Sequence, residues 1–490
     1  MLEPLALASK DRFARFWMAL VLVAATACVL LAVRLMSHSL WFDEVQTANI
    51  AQAPRLKDLV LRAIHERPYP PLYFLADRAS WKLRGDEVGT RLPSALFGAL
   101  ATLAVYLLGT SFFRARTAAA AALMFALMPG MFRYFVDANA YTLFALTSTL
   151  SAWALWRAFE TNRDQDWGLY VAAAACGLGC HLLFIFHIGS HFLAGLAYKR
   201  SLRWSAQPRF YKSMTLLLLL WIAWVLFYIR YGGLHFPISL RHLLDRHFVY
   251  VFLLTYFGFL DRSRALSFFL WPLLQIGGAV TLYLRDKRLF TYLLLLIVVP
   301  LIGISLFVGA TLEFLTYRYG SGIFPLTCLL GASVLEAPLA RLRWAPVLAV
   351  IMTVAAGLYV IAGAPIGFFD YQDWKGAATF LGQNGRPGDT LIIDPGWSRE
   401  ALDYYDHSLL PRASVSNGYA DVPSILNYCG AHPDGRKWLI AAFEKPRPAP
   451  PGLAQTGVAL PDQLKQSGRV SLGPPRKLTG ITIYPLACQP

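Results

Sequence analysis

Ser39-Leu40-Trp41-Phe42-Asp43-Glu44 follows directly on the apolar run Phe16 to Met36. A run of about 20 apolar residues is the length of a helical membrane span. Two aromatic rings that suit the lipid interface stand beside the carboxylates. The stretch therefore puts a pair of acids at the mouth of a membrane. Helix capping is one use for the pair, because Asp and Glu are favoured in a first helical turn. Its position, straight after a span and at the head of a long loop, favours an active-site use. Asp43, with Glu44 beside it, then acts as a general base or orients an acceptor.

The composition agrees with a membrane chain. Of 490 residues, 56% are hydrophobic and only 15% charged, with a mean hydropathy of +0.46. A soluble domain needs more polar surface than this. The net charge of +16 does not point to nucleic acid, since the Lys and Arg residues fall between apolar runs, where cytoplasmic loops carry them. Cys28, Cys176, Cys180 and Cys328 lie in apolar runs and read as small buried hydrophobes. Cys429 and Cys488 lie in the polar C-terminal part and form either a disulfide or two free thiols.

Orientation follows from the charged loops. Lys10, Arg12 and Arg15 precede the first span and keep the N-terminus cytoplasmic. Residues 37–88 form a long outer loop. Within it, Asp77 and Arg78 argue against a span over 72–81, because charges at the bilayer centre are costly; an amphipathic helix on the surface is expected. Further spans are expected over 89–110, 117–135 and 139–157, and as two short spans within 168–198 that turn near His181 to His187. They continue over 213–230, 265–284, 289–309, 319–336 and 344–363. This gives about eleven spans of the required length, with cationic residues at each inner turn and the C-terminus outside. The fold class is a polytopic α-helical membrane protein (residues 1–365) with a small C-terminal α/β domain (370–490). In that domain Trp374 begins a helix, Asp389 to Asp394 reads as a strand, and Ser398 caps a second helix. Trp438 to Ala442 and Ile481 to Tyr484 read as further strands.

Other candidate residues face the same outer side. The corner His65-Glu66-Arg67-Pro68-Tyr69-Pro70-Pro71-Leu72-Tyr73 is either a substrate corner or a rigid turn with solvated charges. Glu66, with a His, is a possible ligand for a divalent metal. Asp137 and Asn139 face one pocket, or Asp137 caps the helix that follows. Arg318, next to Tyr319, opens an otherwise apolar helix. It belongs to an outer set of cations with Arg91, Arg241, Arg246, Arg262 and Arg264; Arg suits phosphate because its planar fork gives paired hydrogen bonds, whereas snorkelling to the headgroups is the favoured reading of Arg241, Arg246, Arg262 and Arg264. His181, inside a span, is a functional candidate or a satisfied core histidine.

These pieces together resemble the GT-C glycosyltransferases, in the bacterial branch similar to dolichyl-phosphate-mannose protein mannosyltransferases and the lipid A aminoarabinose transferase. The matching residues are Leu40-Trp41-Phe42-Asp43-Glu44, Pro70-Pro71-Leu72-Tyr73, the stretch Arg91 to Gly98, Asp137 with Tyr141, His181, and Arg318-Tyr319, within residues 10–365. The resemblance implies an inverting transfer of a sugar from a polyprenyl-phosphate donor to an acceptor glycan, lipid or protein. It places the reaction at the periplasmic face of a bacterial inner membrane, among membrane lipids. It maps the base onto Asp43 with Glu44 and Asp137 as further acids, and donor binding onto Arg318, Tyr319, Arg91, Tyr141, Asn139 and His181. Glu66, Arg67 and Tyr73 become the substrate corner, and a metal maps onto Glu66. Many bacterial relatives carry Glu-Ala-Arg-x-Tyr where this chain has Asp137-Ala138-Asn139-Ala140-Tyr141, so one cation is missing near the donor phosphate. A lipid-linked-sugar transporter or a non-catalytic assembly subunit are the rival readings; a transporter calls for charges deep in several spans and for repeats.

Overall fold

The computed structural model of the chain describes residues 3–67, 69–198, 207–232, 270–311, 317–337, 344, 347, 351, 354–355, 372–386, 388–414, 420–432, 435–442 and 459–489. The chain forms two compact units. One joins Met1–Met36 to Ile50–Gly363; the other joins Ser37–Asn49 to Ala364–Pro490. Arg241, Arg246, Arg262 and Arg264, and most of the expected span 344–363, lie outside the described residues.

The first unit is helical. Among the described residues, Phe13–Leu35, Glu87–Phe112, Pro208–Tyr231 and Lys287–Phe307 are long and apolar enough to cross a membrane. Phe16, Leu22, Val23 and Leu30 on the first, and Leu216, Leu219 and Leu226 on the third, are exposed. Such surface suits lipid tails, not water. A further candidate is bent. Ala115–Leu127 and Pro129–Phe135 meet at 67°, so the expected single span 117–135 is broken. Pro129 stands at the start of the second piece; it lacks a backbone N–H and disfavours helix at the residue before it, which ends the first piece. The stretch 319–336 also departs from one α-helix. It is a 3-10 turn Tyr317–Gly322, a short helix Phe324–Ala332 and a second 3-10 turn Ser333–Glu336. The pair of short helices expected within 168–198 is present as Asp164–Cys180 and Phe184–Tyr198.

Tyr141–Thr161 is buried along most of its length although it carries many hydroxyls. Two of those hydroxyls are satisfied within the helix: Thr147 donates to the Leu143 carbonyl at 2.9 Å and Thr149 to the Ala145 carbonyl at 2.7 Å. Back-bonding of this kind lets a polar helix sit inside an apolar bundle. At one end of the unit, the buried Glu336 carboxylate accepts from Thr117 Oγ1 at 2.7 Å and pairs with Arg285 at 3.0 Å. Arg114 adds a second guanidinium at 3.9 Å. Arg114 and Arg285 are both cations expected at inner turns, and they do meet at one carboxylate. Leu72–Arg84 forms the helix expected of the loop, and Asp77 on it is fully buried. Arg78 donates to the Ala51, Ala53 and Pro54 carbonyls, closing the end of the helix Phe42–Ala51.

The second unit is built on a six-stranded sheet of order β2-β1-β3-β6-β4, with β5 also on β6. The strands are β1 Thr390–Asp394, β2 Ala413–Ser414, β3 Lys437–Ala441, β4 Val470–Leu472, β5 Arg476–Leu478 and β6 Ile481–Cys488. β1 runs parallel to β2 and β3, with Ile392 opposite Leu439, and β6 returns antiparallel to β3. β4 and β5 share one edge of β6. Pro474 and Pro475 separate them, because proline cannot donate to a ladder.

Alternation along the strands covers both faces. Leu391, Ile393, Trp438 and Ile440 point into one core; Ile392, Leu439, Tyr484 and Leu486 point into the other. Leu40, Val45 and Ala48 belong to the first core, with Trp374, Ala377 and Leu402. Ser37–Asn49 was expected as the start of the loop of the membrane module, yet it is a structural part of the sheet unit. Three apolar side chains, all buried, provide the reason. Ser398 does not cap: it ends a 3-10 turn, and its hydroxyl is buried with no hydrogen-bond partner among the described residues.

Cys429 on the helix Val422–Ala431 and Cys488 at the end of β6 form a disulfide that closes 59 residues. It ties that helix to the sheet over the second core. Replacing both with serine is expected to lower the stability of this unit by about 2–4 kcal/mol, read as a fall in its melting temperature. An unchanged melting temperature counts against the bridge.

Candidate functional site

Asp43 and Glu44 open the helix Phe42–Ala51 of the sheet unit and have different surroundings. Glu44 is fully buried, and its Oε2 accepts the Trp41 N–H at 3.2 Å. That is the reach-back of a capping carboxylate. Asp43 is partly buried; its carbonyl accepts from Thr47 Oγ1 at 3.1 Å. Of the two, Asp43 is the less buried.

The remaining candidates lie in the helical unit. Tyr69, Tyr141, His181, Arg318 and Tyr319 come together there. The Tyr69 and Tyr141 hydroxyls stand 3.4 Å apart. The His181 ring lies 4.8 Å from Tyr69 and 5.4 Å from Tyr319. The Arg318 guanidinium sits 5.9 Å from the centre of the Tyr141 ring. Burial pushes the Tyr69 phenol up, Tyr141 adds to the push, and the Arg318 and Arg67 guanidiniums oppose it. Arg67 is therefore within electrostatic reach of the same phenol, and its side chain is buried. The arrangement gathers hydroxyl, guanidinium and imidazole donors at one place. Such a set holds an oxyanion.

Other expected residues serve different ends. Arg91 is fully buried and donates to the Met36 carbonyl at 2.6 Å, fastening the second long helix to the exit of the first; it was expected as a donor-binding cation. Tyr73 is also buried. Ser94 Oγ donates to the Asn139 carbonyl at 3.1 Å, which leaves Tyr73 to donate to Ser94 at 2.7 Å. Tyr73 thus braces the turn beside Asn139 instead of facing a substrate. Asp137 does not cap the helix that follows, whose N-cap is Ala140. Its Oδ1 accepts from Asn139 Nδ2 at 2.9 Å. The two side chains close a buried turn that delivers Tyr141 to the cluster.

Glu66 is exposed, as is His65. Among the described residues no group of three or more His, Cys, Asp or Glu side chains is placed to hold a metal ion.

Sequence reasoning passed over Tyr69, which stands between the corner's prolines, and the pair Ser148–His187. Ser148 Oγ lies 3.2 Å from His187 Nδ1 and donates to the Gly322 carbonyl at 2.6 Å. A side chain at Gly322 would meet His187 Nε2 at 2.7 Å and the Phe144 ring at 3.0 Å. Gly322→Ala is therefore expected to destabilise the helical unit by about 1–3 kcal/mol, seen as a lower melting temperature in detergent. An unshifted melting temperature would show that this contact yields freely.

Comparison with known proteins bears on the fold. Residues 68–228 match the family model described as dolichyl-phosphate-mannose-protein mannosyltransferase. No curated protein matches the chain. ArnT from Cupriavidus metallidurans in the apo state superposes with a TM-score of 0.60 at 13% identity, over 96% of this chain and 98% of that one. The same protein bound to undecaprenyl phosphate gives 0.57 at 14% identity, with the same coverage. The oligosaccharyltransferase AglB from Archaeoglobus fulgidus, in complex with an inhibitory peptide and a dolichol-phosphate, gives 0.51 at 12% identity, over 88% of this chain and 70% of that one. In fold, and in the family match over residues 68–228, the chain is similar to the GT-C glycosyltransferases.

Proposed function

We propose that the chain is a membrane glycosyltransferase that moves a sugar from a polyprenyl-phosphate donor to an acceptor glycan, lipid or protein. Arg318, Arg67, Tyr69, Tyr141 and Tyr319 hold the donor's phosphate. Asp43 is the base. The acceptor's oxygen or nitrogen gives its proton to the Asp43 carboxylate and attacks the anomeric carbon. The bond from that carbon to the phosphate oxygen breaks, and polyprenyl phosphate leaves from the opposite face with its electron pair. Charge grows on the leaving phosphate, which is where fixed donors contribute most.

The observation that carries this reading is the convergence of two guanidiniums and three phenols in a helical unit of GT-C fold. The relatives that share the fold are described with undecaprenyl phosphate and dolichol-phosphate, which supports a polyprenyl phosphate as the anion. The Cys429–Cys488 bridge suits an oxidising compartment and supports a periplasmic C-terminal unit on a bacterial inner membrane. The test is a screen of radiolabelled polyprenyl-phosphate sugars with membranes containing or lacking the protein. Label moving from one donor into a new product, only where the protein is present, is the expected result. No movement from any donor, with the protein folded, would refute it.

A further inference from the structure

A cleft of about 560 Å³ opens in the sheet unit, within the roughly 300–1,000 Å³ of small-molecule sites. Ser37–Ser39, the start of the helix Trp374–Asn384, and β5 with the residue after it line the cleft. Hydrogen bonds fasten these pieces together. The Lys375 N–H donates to Ser39 Oγ at 3.1 Å, and the Asp373 N–H donates to the Thr479 carbonyl at 2.9 Å. Leu40 follows Ser39 into the core, and its N–H donates to the Tyr405 hydroxyl at 2.7 Å. The helix end is itself satisfied: besides the bond to Ser39, Asp373 Oδ1 accepts the Gly376 N–H at 2.9 Å, so these end donors are already used.

Side chains of three kinds remain for a ligand. Lys375 and Arg476 are exposed cations on the lining. Arg476 makes no side-chain hydrogen bond or ion pair among the described residues; its guanidinium sits 5.9 Å from the centre of the Phe380 ring. Thr379 and Asp373 are acceptors. Thr379 gives its only hydrogen to the Lys375 carbonyl at 2.8 Å, and a carboxylate has none to give. Phe380 is the aromatic surface. Its ring meets Trp438 edge-on, 5.7 Å away at 89°, and Trp438 Nε1 donates to Asp389 Oδ2 at 2.9 Å, which holds the platform in place.

These three kinds define one class of ligand. The cations call for a carboxylate or phosphate. The acceptors call for hydroxyl hydrogens, and the ring suits the C–H face of a sugar. Inorganic phosphate answers chiefly the first demand, and a neutral sugar only the other two. We propose that the cleft binds an acidic sugar, one bearing a carboxylate or a phosphate, and that it seats the acceptor glycan for transfer. Ser39 stands four residues before Asp43, at most about 14 Å of extended chain, and both belong to this unit. The seating of the acceptor rests on the function proposed above; the binding of the sugar does not.

The test uses the full chain in phosphatidylcholine nanodiscs, with trigalacturonate, maltose 1-phosphate, maltotriose and inorganic phosphate as probes. At least one acidic sugar should bind about tenfold or more tighter than maltotriose and inorganic phosphate, and the tighter of the two names the acid. Its binding should slow amide exchange over residues 375–383 and 476–479. Arg476→Gln, at an exposed position, should keep the melting temperature and weaken that binding about tenfold, with Arg476→Lys between. Acidic sugars that bind no tighter than maltotriose or phosphate, protection elsewhere only, or an unchanged Arg476→Gln overturns the site. For the seating, the acidic sugar that binds should compete with the acceptor in detergent-permeabilised membranes that transfer label, and Arg476→Gln should weaken this inhibition about tenfold. A sugar that binds the cleft without inhibiting transfer overturns the seating alone. Membranes that transfer label from no donor refute the proposed function, and the seating with it, while the binding result stands.

Discussion

Asp43→Asn is expected to abolish sugar transfer, by about 10²- to 10⁴-fold in turnover, while the protein stays folded. Asp43 is only partly buried, and replacing such a side chain by its amide isostere is expected to change stability by under about 1 kcal/mol. The amide keeps the shape of the carboxylate and loses its capacity to take a proton. Glu44→Ala is expected to do the reverse. Glu44 is fully buried and holds the Trp41 N–H, so its loss costs about 1–3 kcal/mol of stability, with activity falling only as folded protein is lost. Membranes carrying each variant, compared for transfer and for melting temperature, separate the two acids. Full turnover in folded Asp43→Asn removes the base from the account.

Arg318→Gln is expected to lower kcat/KM by about 10²- to 10³-fold, since a donor aimed at developing phosphate charge contributes on that scale. Its guanidinium lies 5.9 Å from the centre of the Tyr141 ring, and the Tyr141 hydroxyl stands 3.4 Å from that of Tyr69, so the charge sits beside the phenols of the cluster. Arg318→Lys should give an intermediate loss: it keeps the charge and forfeits the planar fork. If the loss comes from the phosphate, the variant also binds polyprenyl phosphate more weakly. Unchanged binding with unchanged kcat/KM would remove Arg318 from the site.

Part of the helical unit was legible because length and apolarity mark candidate spans: Phe13–Leu35, Glu87–Phe112, Pro208–Tyr231 and Lys287–Phe307 fall on stretches expected to cross a membrane. Arg114 and Arg285 were placed at inner turns by charge alone, and they meet at Glu336. What failed did so for local reasons. Pro129 cut a run that reads as continuous by hydropathy.

The site was legible in parts. Arg318, Tyr141, His181 and Tyr319 do come together, but Tyr69 completes the cluster, and nothing in the spacing of the corner's prolines told its phenol from that of Tyr73. Arg91 and Tyr73 looked equally functional by residue type. Only their partners, the Met36 carbonyl and Ser94, show that they brace the structure. The opening stretch Ser39 to Glu44 was the hardest to place. Leu40, Val45 and Ala48 are too few to announce which core they enter, and they enter that of the sheet more than 300 residues later.

The measurement that reaches the central claim most directly is a single-product assay with purified protein and a polyprenyl-phosphate sugar of known anomeric configuration. The account predicts one free polyprenyl phosphate for each sugar transferred, with the configuration inverted in the product. Sugar crossing the bilayer still joined to its lipid, with no polyprenyl phosphate released, would contradict it.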